Sequence, residues 1–298
     1  MKKTYLLIVF LIVLLTGCKT EETRYNRTES TQSTAYETIE NSITREDATT
    51  QEDATTQEET STQEEIKQED NERDEYYSTL VGEAVAEGRK IVYLTFDDGS
   101  GTLTPTVLDI LDEYNVKATF FVVGAYSPSE EYARTEYNDI INRGHTLGIH
   151  SFTHSRADIY SSLEAFSADC DMMMEYVINL TGYTPFLWRF PGGSATMYAD
   201  SRMQTEYIPY IENKGLTYYD WNVSSGDGNG TITRDEIYNN VINGVKNKDI
   251  SVVLMHDGKG HEETVAALPN ILNTLINELD CLVVPITEST IPVQSQLN

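Results

Sequence analysis

Asp97 and Asp98 stand side by side between the apolar run Ile91–Phe96 and Gly99. Adjacent carboxylates on an extended chain point in different directions, so one can hold a cation while its neighbour works on a water. Alone, the pair would read as a polar turn. His150 and His154 form a second feature. Their i, i+4 spacing predicts one helical turn that carries both imidazoles on one side, a placement suited to a shared divalent ion. The chain has only five histidines among 298 residues, which makes this pairing informative, although two solvated imidazoles would give the same spacing. His256 closes the apolar run Ser251–His256 and is a candidate general acid, with a satisfied core histidine as the plainer reading.

These residues need elements to position them. Strand-forming runs recur at Ile91–Phe96, Ala118–Val123, His145–His150, Phe186–Phe190, Leu216–Val223, Ser251–His256 and Cys281–Pro285. Helical spacing separates them, as in Leu163, Phe166, Met173, Val177 and Leu180. Continuous apolar strands alternating with helical patterns predict a parallel sheet covered by helices, one α/β domain with about seven units. Sites in such folds lie at the C-terminal ends of strands, where the residues above fall. Cys170 and Cys281 sit in apolar patterns and are expected to be buried free thiols.

Taken in order, the motifs resemble the polysaccharide deacetylase family, the NodB-homology or carbohydrate esterase 4 group. Thr95–Gly99, His150–His154, Arg189–Gly193, Asp227 and Leu254–His256 match its five motifs, and the resemblance covers about residues 88–288. It implies an incomplete or distorted (β/α)7 barrel, with Asp98, His150 and His154 as ligands of a divalent metal. The donor set suits zinc, and cobalt or another divalent ion would also fit. It further implies Asp97 as general base, His256 as general acid, Arg189 paired with Asp97, and Asp227 orienting His256. The backbone N–H of Gly192 takes the oxyanion position, and Leu254 and Trp221 line the substrate site. The implied reaction is hydrolysis of the acetamide of an N-acetylated aminosugar polymer, with release of acetate. Gly192 and Gly228 stand where the family carries aromatics, which predicts a more open groove walled by Trp221, Trp188 or a tyrosine.

Competing readings exist. Ser225–Glu236 has the Gly230 and Glu236 offsets of a calcium loop, which would claim Asp227 for calcium. A glycan-binding protein of the same fold without activity, and an O-acetyl esterase, are further alternatives. No G-x-S-x-G elbow is present to support a serine hydrolase.

The N-terminal part differs in kind. Lys2 and Lys3 precede an uncharged run from Tyr5 to Leu15, which is shorter than the roughly 20 residues a membrane span needs. Leu15–Cys18 resembles a bacterial lipobox, which implies a signal over residues 1–17 and a lipid on Cys18 that tethers the protein to the outer face of a membrane. Residues 18–80 are rich in Thr, Gln, Glu and Asp and are expected to be an unstructured stalk. The catalytic domain is expected over 81–298. The formal net charge of −27 argues against a nucleic-acid partner, whose phosphates it would repel.

Overall fold

The computed structural model describes residue 68 and residues 70–297. The expected signal, Cys18 and most of the expected stalk lie outside the described residues. Helix α1 covers residues 70–86 and reaches back into the last part of that stalk segment. Its buried Ala84, with Tyr77 and Val81, packs on a core cluster that includes Ile91, Tyr93 and Ile286.

Strand β1 (Ile91–Gly99) is central. It pairs in parallel with β2 (Thr119–Val122) and β7 (Ile250–His256), and at its start with β8 (Leu282–Val283). The sheet runs β5-β4-β3-β2-β1-β7-β6, with β8 off this path. Here β3 is Thr146–Ile149, β4 Leu187–Trp188, β5 Thr217–Tyr218 and β6 Val223–Ser224. The helices are α2 (Thr104–Glu113), α3 (Glu130–Asn142), α4 (Arg156–Ile159), α5 (Leu163–Thr181), α6 (Ile208–Asn213), α7 (Arg234–Lys246) and α8 (Glu262–Asn273). Caps fix several ends. Ser162 caps α5, Gly182 ends it at φ 74°, and Thr233 with Glu236 forms a capping box on α7.

The segment Leu216–Val223, expected as one strand, is two. β5 and β6 lie at opposite ends of the sheet path, with only residues 219–222 between them. Five Cα steps reach at most about 18 Å. Six strand intervals of a flat sheet would span about 29 Å. The sheet therefore curls into an incomplete parallel barrel, as expected for the (β/α)7 class.

Alternation along β1 divides its side chains. Val92, Leu94 and Phe96 join the core beneath the helices. Ile91 and Tyr93 face the barrel interior, and Thr95 and Asp97 continue that face upward, both buried. Cys170 and Cys281 are buried and unpaired.

Candidate metal centre and catalytic groove

Asp97 and His256 are register partners at the ends of β1 and β7, and Thr95 pairs with Leu254 one pleat below. The strand ends thus bring a carboxylate and an imidazole to the same mouth. Asp98 sits at the register shift near the end of β1, with φ 69°, and its carboxylate lies beside both histidines.

The two imidazoles meet, but not through a helical turn. Residues 150–154 form a loop in which Ser151 and His154 have φ of 73° and 56°, and α4 starts only at Arg156. Two left-handed residues fold the loop back on itself, and the ring centroids come to 4.9 Å. Asp169, on the buried side of α5, clamps this loop by accepting from the Phe152 and Thr153 amides and the Thr153 hydroxyl at 2.7–2.9 Å. The sequence carried a signal for it, an acid at a core-facing position between Phe166 and Met173. Tyr126, whose hydroxyl lies 3.1 Å from His154 Nδ1, had none.

Asp98 Oδ1 is 3.9 Å from His150 Nε2 and 3.5 Å from His154 Nε2. One oxygen and two nitrogens on a tetrahedral ion with bonds of about 2.0–2.1 Å would sit roughly 3.3 Å apart, so small shifts suffice. Two further observations fit a cation. Asp98 Oδ1 is buried with no hydrogen-bond partner. His150 Nδ1 lies 2.7 Å from the Arg189 carbonyl, which can only accept, so Nδ1 carries the proton and Nε2 presents its lone pair. Burial holds the His150 imidazolium off, with a pKa of about 3, which keeps that lone pair free.

Arg189 is fully buried and serves several groups. Nη1 donates to Asp97 Oδ1 at 2.8 Å and to Thr95 Oγ1 at 2.6 Å. Nε and Nη2 donate to the carbonyls of Tyr219 and Asp220, in the irregular stretch between β5 and β6. The guanidinium also stacks on Phe121 at 4.1 Å. Burial pushes the Asp97 carboxyl above the usual range, and Arg189 pulls it back part of the way.

Asp227 accepts four hydrogen bonds. Oδ1 takes the Ser225 hydroxyl and His256 Nδ1, and Oδ2 takes the His256 amide and the Thr264 hydroxyl, all at 2.7–2.8 Å. These fill its acceptor sites. The calcium-loop reading is therefore corrected, because Asp227 faces His256 and Glu236 is committed to the α7 capping box. The same saturation argues against a cation shared by Asp227, His256 and His261, although their ligand atoms cluster. Burial opposes charge on His256, but the hydrogen bond and charge of Asp227 overcome it and lift its pKa to about 9. Replacing Asp227 with asparagine removes the two largest influences that oppose burial and leaves only the charges of Asp97 and Asp98 against it. The imidazole pKa should then fall toward the ordinary histidine value, and the alkaline limb of the pH–rate profile should move down from near 9 by about two units.

The remaining expected residues are placed as follows. Gly192 is exposed at φ 85°, and its N–H makes no hydrogen bond among the described residues, as an oxyanion donor requires. Leu254 faces the interior two residues below His256 and is 8% exposed. Trp221 is half-buried over Arg189 and packs on Gly193. Trp188 is fully buried in the core and forms no wall. The groove is not simply wider at Gly192. A Cβ there would meet Thr196 Oγ1 at 3.2 Å and Arg156 Nη1 at 3.3 Å, so these side chains fill the place of the missing aromatic. At Gly228 the nearest atom to a Cβ would be His256 Cε1, at 3.5 Å. The sequence reading also missed His261, whose ring stacks on His256 at 4.9 Å.

Comparison with known proteins agrees with this geometry. A polysaccharide deacetylase family model matches residues 84–210. The catalytic domain of a peptidoglycan N-acetylglucosamine deacetylase from Eubacterium rectale is 38% identical with a TM-score of 0.65, covering 70% of this chain and 94% of that one. A putative polysaccharide deacetylase from Bacillus subtilis is 31% identical over 63% of this chain. A peptidoglycan-N-acetylglucosamine deacetylase from Bacillus cereus is 32% identical over 63% of it. The chain spans 64% and 66% of the lengths of these two curated relatives. With the barrel, the order of its motifs and these similarities in agreement, the chain belongs to the polysaccharide deacetylase family.

Proposed function

We infer that the protein hydrolyses the N-acetyl group of an aminosugar polymer, a peptidoglycan or related surface glycan, and releases acetate. The observation that carries this reading is the placement of Asp97 and His256 on adjoining strand ends, beside Asp98, His150 and His154. Asp98, His150 and His154 would hold a divalent metal, by choice of donors zinc. When bound, it supplies positive charge that polarises the acetamide carbonyl and lowers the pKa of the attacking water.

The chain's own residues do the rest. Asp97 Oδ2 faces the histidines while Oδ1 is held by Arg189, so its free oxygen takes the proton of the attacking water. A carboxyl raised above the usual range is a better base near neutral pH than an ordinary one. The Gly192 N–H donates to the oxyanion that forms. His256 keeps Nδ1 on Asp227 and offers Nε2–H to the departing nitrogen. With a pKa of about 9 it is charged at neutral pH, as an amine leaving group demands. Leu254 floors the acetyl pocket and Trp221 walls it.

Cleavage gives acetate and a free amine, so the test is acetate release from matched N-acetylated and O-acetylated polymers. Acetate from the N-acetylated polymer supports the assignment; acetate only from the ester, or from neither, overturns it. The Leu15–Cys18 motif supports attachment through a lipid on Cys18, with the acidic segment as a spacer toward the extracytoplasmic glycan.

A further inference from the structure

Arg156 begins α4, two residues beyond His154, and is exposed. Its guanidinium lies over Gly192, where a side-chain carbon would come within 3.3 Å of Nη1, and the Tyr198 ring stacks on it at 5.1 Å. Every other arginine among the described residues has an ion-pair partner: Arg73, Arg89, Arg134, Arg143, Arg189, Arg202 and Arg234. Arg156 has none among them, in a chain whose formal net charge of −27 offers an abundance of carboxylates. Arg156 is exposed, so water solvates its guanidinium in the free enzyme and the charge stays open to an anion that arrives with the ligand.

We propose that Arg156 binds a carboxylate carried by the sugar next to the one being deacetylated, so that the enzyme prefers an acidic glycan to a neutral one. This rests on the deacetylase reading and specifies its substrate class. The fork of a guanidinium takes a carboxylate through two parallel hydrogen bonds. The stack on Tyr198 holds that fork beside the Gly192 N–H, at the mouth where the neighbouring sugar must lie.

The test compares two oligosaccharides of equal length with the full chain. One is a neutral N-acetylglucosamine oligomer, and in the other alternate sugars carry a lactyl ether carboxylate. The wild type should show the higher kcat/KM on the acidic oligomer. Arg156→Gln should lower that preference about tenfold, mainly through KM, as expected for losing a charge-assisted hydrogen bond. Arg156→Lys should retain part of it. A wild type without preference, or a preference untouched by Arg156→Gln, overturns the assignment while leaving deacetylation intact. Acetate from neither oligomer overturns the deacetylase reading itself, and the Arg156 assignment with it.

Discussion

Asp97→Asn should lower kcat by about 10³-fold on an N-acetylated glycan and should leave binding of a divalent metal intact. The amide is close in shape to the carboxylate, and its carbonyl oxygen can still accept from Arg189 Nη1, now 2.8 Å from Oδ1. What it cannot do is take a proton. Asp97 Oδ2 lies 3.7 Å from His150 Nε2, but the three ligand atoms that gather within reach of one ion belong to Asp98, His150 and His154. Chemistry should therefore fail without loss of the ion, and kinetics together with metal content check both halves of that statement. Loss of the ion in this variant would instead make Asp97 a ligand.

Arg189→Met should be the most damaging single change to the fold as well as to the rate. Methionine fills a similar path, but it leaves Asp97, 2% exposed, without its partner, and it frees the Tyr219 and Asp220 carbonyls. Breaking a buried pair by removing one member costs about 3–5 kcal/mol. The residues between β5 and β6 also lose the side-chain tie from Arg189 and keep toward β4 only the Tyr219 amide on the Trp188 carbonyl, so the seam of the barrel is where unfolding should begin. Burial already pushes Asp97 upward, and without Arg189 only the charges of His256 and His154 pull it back. The acid limb of the pH–rate profile should then move to higher pH, since the base stays protonated further up the scale. Urea unfolding measures the first effect and a pH–rate series the second. A fully stable variant with an unmoved acid limb would count against the role given to Arg189.

Much of this was legible in the sequence because parallel strands buried on both faces read as continuous apolar runs. Ile91–Phe96 and Ser251–His256 announce both strands and the reactive residues that follow them. Leu216–Val223 misled for the same reason. Leu216, Thr217, Tyr218, Tyr219, Trp221 and Val223 are strand formers and outweigh Asp220 and Asn222, whereas the break between β5 and β6 comes from closing a curled sheet. The i, i+4 histidines gave the correct partners by the wrong geometry. Spacing is blind to whether a helix or a pair of left-handed residues brings two rings together; His154 belongs to a residue type enriched at positive φ, but Ser151 does not, so the local sequence pointed to at most half of the turn. Asp227 was ambiguous between a loop ligand and a histidine partner until Ser225, Thr264 and His256 were seen to use all its acceptor sites. Arg156 became visible only through what it lacks among the described residues, a carboxylate partner, and that cannot be read from a chain this acidic.

The most direct measurement is metal bound per chain, by elemental analysis after zinc loading and removal of loose ions, in the wild type, Asp97→Asn and Asp98→Ala. The first two should hold one equivalent and the third none. An Asp98→Ala protein that keeps a full equivalent, or a wild type that keeps none, would contradict a cation held by Asp98, His150 and His154.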